Sequence, residues 1–238
     1  MTLKMAHPSQ PIQPIQPIQP IRPIPTLQFE HAFWRHEIVH VAGLDEAGRG
    51  AWAGPVVAGA VILPRVRYTR NWKVSSALRE LAGARDSKLL SPSQREVLVG
   101  PIQSIALAYG TGSATCEEID HLGIVRATKL AMRRALAALG MAPEALLIDA
   151  VKLSELDLPQ RAIIHGDQLS LSIACASILA KVTRDHMMIE LDGKWPGYAF
   201  ARHKGYGTRQ HYAALEALGA CPEHRKSFAP VAQVRLGL

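Results

Sequence analysis

The chain has 238 residues, 48% of them hydrophobic and 20% charged, with 27 lysines and arginines against 20 aspartates and glutamates. That is enough chain to bury a sizeable core unaided, so a disordered polymer, a disulfide-dependent mini-scaffold and a collagen-like fibre are excluded. No apolar run approaches the ~18 residues a membrane-spanning helix needs, the longest around Val56–Leu63 being strand-sized. Cys116, Cys175 and Cys221 lie far apart with no C-x-x-C pair, which argues against a disulfide framework or zinc site and for a reducing cytoplasm. The formal charge of +7 is compatible with polyanion binding or with ordinary solubility charge.

Residues 8–25 repeat a Pro-Ile-Gln triplet where a signal peptide would need an apolar segment. Proline at every third position favours polyproline II and removes ladder donors, so residues 1–30 are expected to form an extended, disordered tail. Order is expected from about Ile38, with residues 31–238 making one domain. Ile38–Leu44 reads as a strand ending at Asp45, Gly48–Gly54 as a turn, and Pro55–Leu63 as its antiparallel partner. A polar helix around Ser91–Val99 precedes a third strand, Ile102–Thr111. Thr115–Ala138 has helical spacing, with Glu117 and Glu118 at its start and Arg133 and Arg134 near its end. Ala145–Asp149 and Arg161–His165 are short strands, Ser170–Leu191 is a long helix, and Thr208–Leu218 is a further helix. Strands that first pair and then alternate with helices predict an α/β domain with a mixed sheet.

The acidic residues fall at strand ends: Asp45 and Glu46 after the first strand, Asp149 closing Ala145–Asp149, and Asp167 after the next strand. Singly, each reads more readily as a turn or capping residue, and only the set with its flanking motifs points to a site. Brought together they would repel one another unless a cation were present, and hard divalent ions with oxygen ligands, Mg²⁺ or Mn²⁺, are the natural compensators. Two such ions activate a water and support a leaving oxygen in phosphodiester hydrolysis.

The motifs around these acids form an ordered set. Leu44-Asp45-Glu46-Ala47-Gly48-Arg49-Gly50 is followed by Ala53-Gly54-Pro55, Asp86-Ser87-Lys88-Leu89, Ile148-Asp149 and Gly166-Asp167. Ala176-Ser177-Ile178-Leu179-Ala180-Lys181-Val182-Thr183-Arg184-Asp185, His203-Lys204-Gly205-Tyr206-Gly207-Thr208 and His224-Arg225-Lys226-Ser227-Phe228 complete it. In this order the set resembles ribonuclease HII, the prokaryotic type 2 ribonuclease H family, over nearly all of residues 38–232.

The resemblance implies a ribonuclease H-like α/β fold: a mixed five-stranded sheet flanked by helices, with a helical C-terminal extension. It implies a cytoplasmic, metal-dependent endonuclease, working with Mn²⁺ or Mg²⁺ on RNA/DNA hybrids and on single ribonucleotides embedded in duplex DNA. Cleavage on the 5′ side of the ribonucleotide would leave a 5′-phosphate and a 3′-hydroxyl. Asp45, Glu46, Asp149 and Asp167 match the family's acidic site, the first three being its metal ligands. Gly48, Arg49 and Gly50 match a loop whose backbone reads the ribose 2′-hydroxyl, the group that distinguishes RNA from DNA. Tyr206 matches a tyrosine that packs on the following sugar. Lys181, Arg184, His203 and Lys204 are candidate phosphate contacts or simply solvated charges. A monomer with no membrane association and no obligate protein partner is expected.

The chain departs from the family in having Ala51 where proline is common, His165 where lysine is common and Ala150 where glycine is common. The alternatives are another nuclease on this sheet, such as a resolvase, and a hybrid-binding protein without hydrolysis.

Overall fold

The computed structural model describes residues 24–66 and 76–236. Most of the Pro-Ile-Gln repeat therefore lies outside the described residues. The expected end of the tail at residue 30 moves earlier. Thr26 already pairs with Ser170, Leu27 is buried, and helix α1 (Gln28–Trp34) buries Glu30 and Trp34. Burial of those side chains, which local composition does not announce, outweighs the extended bias of the prolines before them.

Five strands form one sheet in the order β3-β2-β1-β4-β5. β1 (Val41–Ala47) and β2 (Val56–Ile62) make the expected antiparallel hairpin, and β3 (Ala108–Ala114) extends it. β4 (Ala145–Asp149) lies parallel to β1 on its other side, and β5 (Gln160–Ile163) lies parallel to β4. The sheet is thus mixed, with its change from antiparallel to parallel pairing at β1. Residue alternation sorts the two faces. Ala42, Leu44, Ile62, Leu146 and Ile148 pack on one side with α4 (Ile124–Ala137), through Ala127, Ala131 and Met132. Val41, Val61 and Leu147 pack on the other, with α6 (Leu171–Lys194). That long helix sits very close to the sheet. A Cβ on Gly43 would fall 2.4 Å from the Ser172 backbone, and one on Gly59 2.3 Å from the Ala176 carbonyl oxygen.

Three expectations are corrected. The third strand does not begin at Ile102. Instead α2 (Pro92–Ile105) runs through Pro101, because Leu98 and Ile102 are buried in the core on its inner face. Tertiary packing there outweighs the local break signal. The helix expected over Thr115–Ala138 divides at Gly123, whose φ of 77° ends α3 (Cys116–Leu122) and begins α4. Finally, Asp45 and Glu46 lie within β1 rather than after it. After α5 (Gly166–Leu169) and α6, the C-terminal part adds α7 (Phe200–His203), α8 (Arg209–Leu218) and α9 (Ala229–Leu236), with its own core of Met188, Tyr198, Phe200 and Cys221. All three cysteines are buried and free. No helix among the described residues is long and apolar enough to cross a membrane.

Candidate active site

The parallel pairing of β1 and β4 sets Leu44 opposite Ile148, so Asp45, two residues before the end of β1, and Asp149, the last residue of β4, follow side by side on adjacent strands. Glu46, the next residue of β1, adds a third negative charge to the pair. Burial, then the charges of Glu46 and Asp149, push the Asp45 carboxyl well above its ordinary value, against hydrogen bonds from Ser177 and the Glu46 amide. Burial raises Glu46 as well, with Arg49 opposing; Arg49 Nη1 donates to Glu46 Oε1 at 3.1 Å. Glu46 Oε2 is buried with no hydrogen-bond partner among the described residues.

Asp167 comes from α5, the short helix that follows β5. The Gly166 amide donates to Asp149 Oδ1 at 2.8 Å, which ties the Asp167 turn to the end of β4. Burial, Asp86 and Asp149 together raise the Asp167 carboxyl to about 6. The four carboxylates expected to form the site are thus neighbours. Among the described residues, however, no group of three or more His, Cys, Asp and Glu side chains is placed as it stands to hold a metal ion. The donor set still fits a hard divalent cation. It offers carboxylate oxygens alone, Asp45 and Asp167 are both raised by burial and then by their neighbours' charge, and Glu46 Oε2 is buried with no partner among the described residues.

Two residues of the Asp86-Ser87-Lys88 turn belong to this neighbourhood although sequence reasoning gave them no role. Asp86 caps the turn through the Lys88 amide and accepts from Gln168 Nε2 at 3.2 Å. Burial works against the Lys88 ammonium, but Asp86, Asp167, Asp45 and Asp149 outweigh it and raise its pKa. Ser177 of α6 reaches both the Ser87 hydroxyl, at 2.9 Å, and Asp45. The signal for all three was their presence in the ordered motif set.

The loop after β1 is held by arginines from beneath. Gly48 has φ 94°, and a Cβ there would lie 2.0 Å from Arg184 Nε. Arg184 is fully buried and donates to the carbonyls of Pro55, Ala53 and Lys204. Arg225, also fully buried, donates from Nε and Nη2 to the Gly54 carbonyl and from Nη1 to that of Arg49. Neither guanidinium is free for phosphate, which corrects the expectation for Arg184; Arg225 was quoted in a motif without a function. Gly50 differs from Gly48. It is exposed and nothing lies within 4 Å of where its Cβ would be, so it presents an open backbone rather than a special φ.

Tyr206 is 37% exposed and so is no core tyrosine. Arg184 lies 5.3 Å and the Lys181 ammonium 5.9 Å from its ring centroid. Lys181 also donates to Asp185 at 2.6 Å, and the Lys204 ammonium is bonded to the Ala201 carbonyl. His203 is buried, with Nε2 against the Tyr198 carbonyl and Nδ1 accepting from the Gly205 amide, so it is a structural residue and no phosphate contact. His165 is exposed, in left-handed backbone at the start of α5.

A mixed five-stranded sheet with carboxylates at the ends of its central strands is the architecture of a ribonuclease H-like enzyme. The family model for ribonuclease HII matches residues 42–231. The chain is 52% identical over 207 residues to ribonuclease HII of Desulfitobacterium hafniense, strain Y51, spanning 87% of this chain and 75% of that one. It is 52% identical over 207 residues to a ribonuclease HII of Thermus thermophilus, spanning 87% and 94%. Among solved structures it is similar to ribonuclease H2 of Pyrococcus horikoshii OT3, with a TM-score of 0.63 and 25% identity over 83% of this chain and 97% of that one. The chain belongs to the ribonuclease HII family, and is therefore a ribonuclease H, an endoribonuclease of RNA/DNA hybrids.

Proposed function

We propose that this ribonuclease also cuts at single ribonucleotides embedded in duplex DNA, on their 5′ side, leaving a 5′-phosphate and a 3′-hydroxyl. The observation that supports this reading is the placement of Asp45 beside Asp149, with the Gly48–Gly50 loop leaving the same strand end. In this reading Asp45, Glu46 and Asp149 hold divalent ions, Mn²⁺ or Mg²⁺, with Asp167 at the margin. When bound, such ions supply an activated water nucleophile and stabilise the departing 3′-oxygen.

The chain's own residues select and orient the substrate. The open backbone around Gly50 lets a ribose approach closely, and amide and carbonyl groups there can read a 2′-hydroxyl that both donates and accepts. Arg49, tethered to Glu46, couples that loop to the acidic cluster. Tyr206 presents the exposed part of its ring to the next sugar, braced by Arg184 and Lys181. Lys181 and Lys204 add positive charge on that side for the phosphates, which position a duplex without reading its sequence. The work is assigned to a single chain in the cytoplasm, with one catalytic domain that starts at Thr26.

The test is a duplex carrying one ribonucleotide, incubated with Mn²⁺ or Mg²⁺, beside an all-DNA duplex and a chelated control. A metal-dependent nick on the 5′ side of the ribonucleotide alone supports the proposal. Cutting of the all-DNA duplex would favour a resolvase-like nuclease, and binding without a nick would favour a hybrid-binding protein.

A further inference from the structure

Helix α1 precedes residue 42, where the family match begins, yet its Glu30 has no exposed surface. Glu30 Oε1 accepts three hydrogen bonds: from Ser170 Oγ at 2.7 Å, the Ser172 amide at 2.9 Å and Ser172 Oγ at 2.7 Å. All three donors sit on the junction between α5 and α6, directly after the turn that carries Asp167. Thr26 grips the same junction by its backbone. Its amide donates to the Leu169 carbonyl and its carbonyl accepts from the Leu171 amide, both at 3.0 Å.

The connection continues into the acidic cluster. The Ser170 amide donates to the Gly166 carbonyl at 2.8 Å, and the Gly166 amide donates to Asp149 Oδ1 at 2.8 Å. Ser170 is also the N-cap of α6, the helix that brings Ser177 to Asp45. Burying a carboxyl is costly, and Oε2 of Glu30 has no hydrogen-bond partner among the described residues. A residue needed only to fill this volume would be apolar. What Glu30 adds over an apolar residue is a fixed geometry for one junction.

We propose that Glu30 is a positioning residue for Asp167, fixing where that carboxylate stands relative to Asp149. The inference rests on the reading of Asp167 as a member of the site, and it makes the segment from Thr26 to Trp34 part of the enzyme's working structure rather than a tail.

The experiment uses the full chain with Glu30→Ala and Glu30→Gln, each alone and combined with Asp167→Asn. Nicking of the single-ribonucleotide duplex is measured as kcat and KM, well below the lowest melting transition. Glu30→Ala is expected to lower kcat about 10-fold, as loss of a partner that orients a site residue typically does, with little change in KM. Glu30→Gln, which keeps an acceptor oxygen, should fall between. Neither change should cost anything further once Asp167 is asparagine. Equal losses in both backgrounds, or unchanged kcat in Glu30→Ala, would overturn the inference. Full activity of Asp167→Asn by itself would instead overturn the site reading, and this inference with it. If Glu30→Ala does not fold, Glu30→Gln and Ser172→Ala carry the same comparison.

Discussion

Gly48 and Arg184 compete for one volume. The guanidinium that ties together the carbonyls of Ala53, Pro55 and Lys204 passes where a side chain on Gly48 would begin. Gly48→Ala should therefore both destabilise the protein and impair nicking. Left-handed backbone costs a non-glycine residue about 1–2 kcal/mol, before any loss from displacing Arg184. Gly50→Ala is the contrasting variant. Its Cβ meets nothing in the free enzyme, so stability should stay within about 0.5 kcal/mol while nicking falls if substrate approaches there. Melting and nicking on both variants check the pair, and a Gly50→Ala enzyme of full activity would remove that loop residue from the substrate path.

Tyr206 gives a second separation. Its ring is partly exposed, so Tyr206→Ala should lower the melting temperature only slightly. Activity on single-ribonucleotide duplexes should drop by about tenfold or more, as expected for a stacked contact worth ~1–3 kcal/mol. Tyr206→Phe should keep most of it, because the ring face rather than the hydroxyl is used. Unaltered cleavage by Tyr206→Ala would assign the sugar contact elsewhere.

The residue after Asp149 carries strain that can be relieved. Ala150 has φ 54° and is exposed, so glycine fits its backbone without leaving a cavity. Relief of ~1–2 kcal/mol is offset in part by the looser unfolded chain, leaving a net gain of about 0.5–1 kcal/mol. Thermal melting of Ala150→Gly should show a rise of about 1–4 °C. A fall would mean that Ala150 contributes packing.

Most of the sheet was legible because its signals are local. The strand Ala145–Asp149 is readable to the residue, and the hairpin of β1 and β2 follows from its two apolar runs. β3 was misplaced because its inward positions are Ala108, Gly110, Gly112 and Ala114, small residues that give a weak alternating pattern. They are small because α4 lies against them; a Cβ on Gly112 would fall 2.4 Å from the Ala135 amide nitrogen. The acids were legible as a set only through their ordered motifs, since nothing local distinguishes Asp149 from a turn aspartate. The burial of Arg184, Arg225, His203 and Glu30 was not legible. Each takes hydrogen bonds from or gives them to partners that only folding brings to it, and a charged or polar residue is ordinarily read as exposed.

The C-terminal part should be sensitive to acid. His211 Nε2 and His224 Nε2 lie 3.1 Å apart, His203 stacks on His211, and the Cys221 amide donates to His224 Nδ1. Burial is the main cause that lowers both His211 and His224 to about 4. Unfolding lets them return to about 6.5, so the unfolded chain binds more protons between those values. Their contribution is thus complete above about pH 6.5 and is lost as pH falls toward 4. Melting temperature should be level near neutrality and decline through that window, more shallowly in His211→Gln. A profile of Asp or Glu titration alone, unchanged in His211→Gln, would contradict this.

The acidic cluster itself is tested by setting folding against catalysis. Asp45 is held above its ordinary value, so near neutrality its ionised form opposes folding when no metal is bound. Asp45→Asn should keep or raise the melting temperature of the metal-free protein. Asp149→Asn retains an oxygen to accept from the Gly166 amide, so its fold should also survive. Hybrid binding should persist in both, because phosphate contacts come from basic groups and backbone amides. Loss of nicking should exceed the 10–100-fold that removal of a ligand's supporting partner brings. The decisive measurement is nicking of a single-ribonucleotide duplex by folded, duplex-binding Asp149→Asn in saturating Mn²⁺. A loss of about 100-fold or more is expected; near-normal nicking would contradict the placing of Asp149 in the catalytic site.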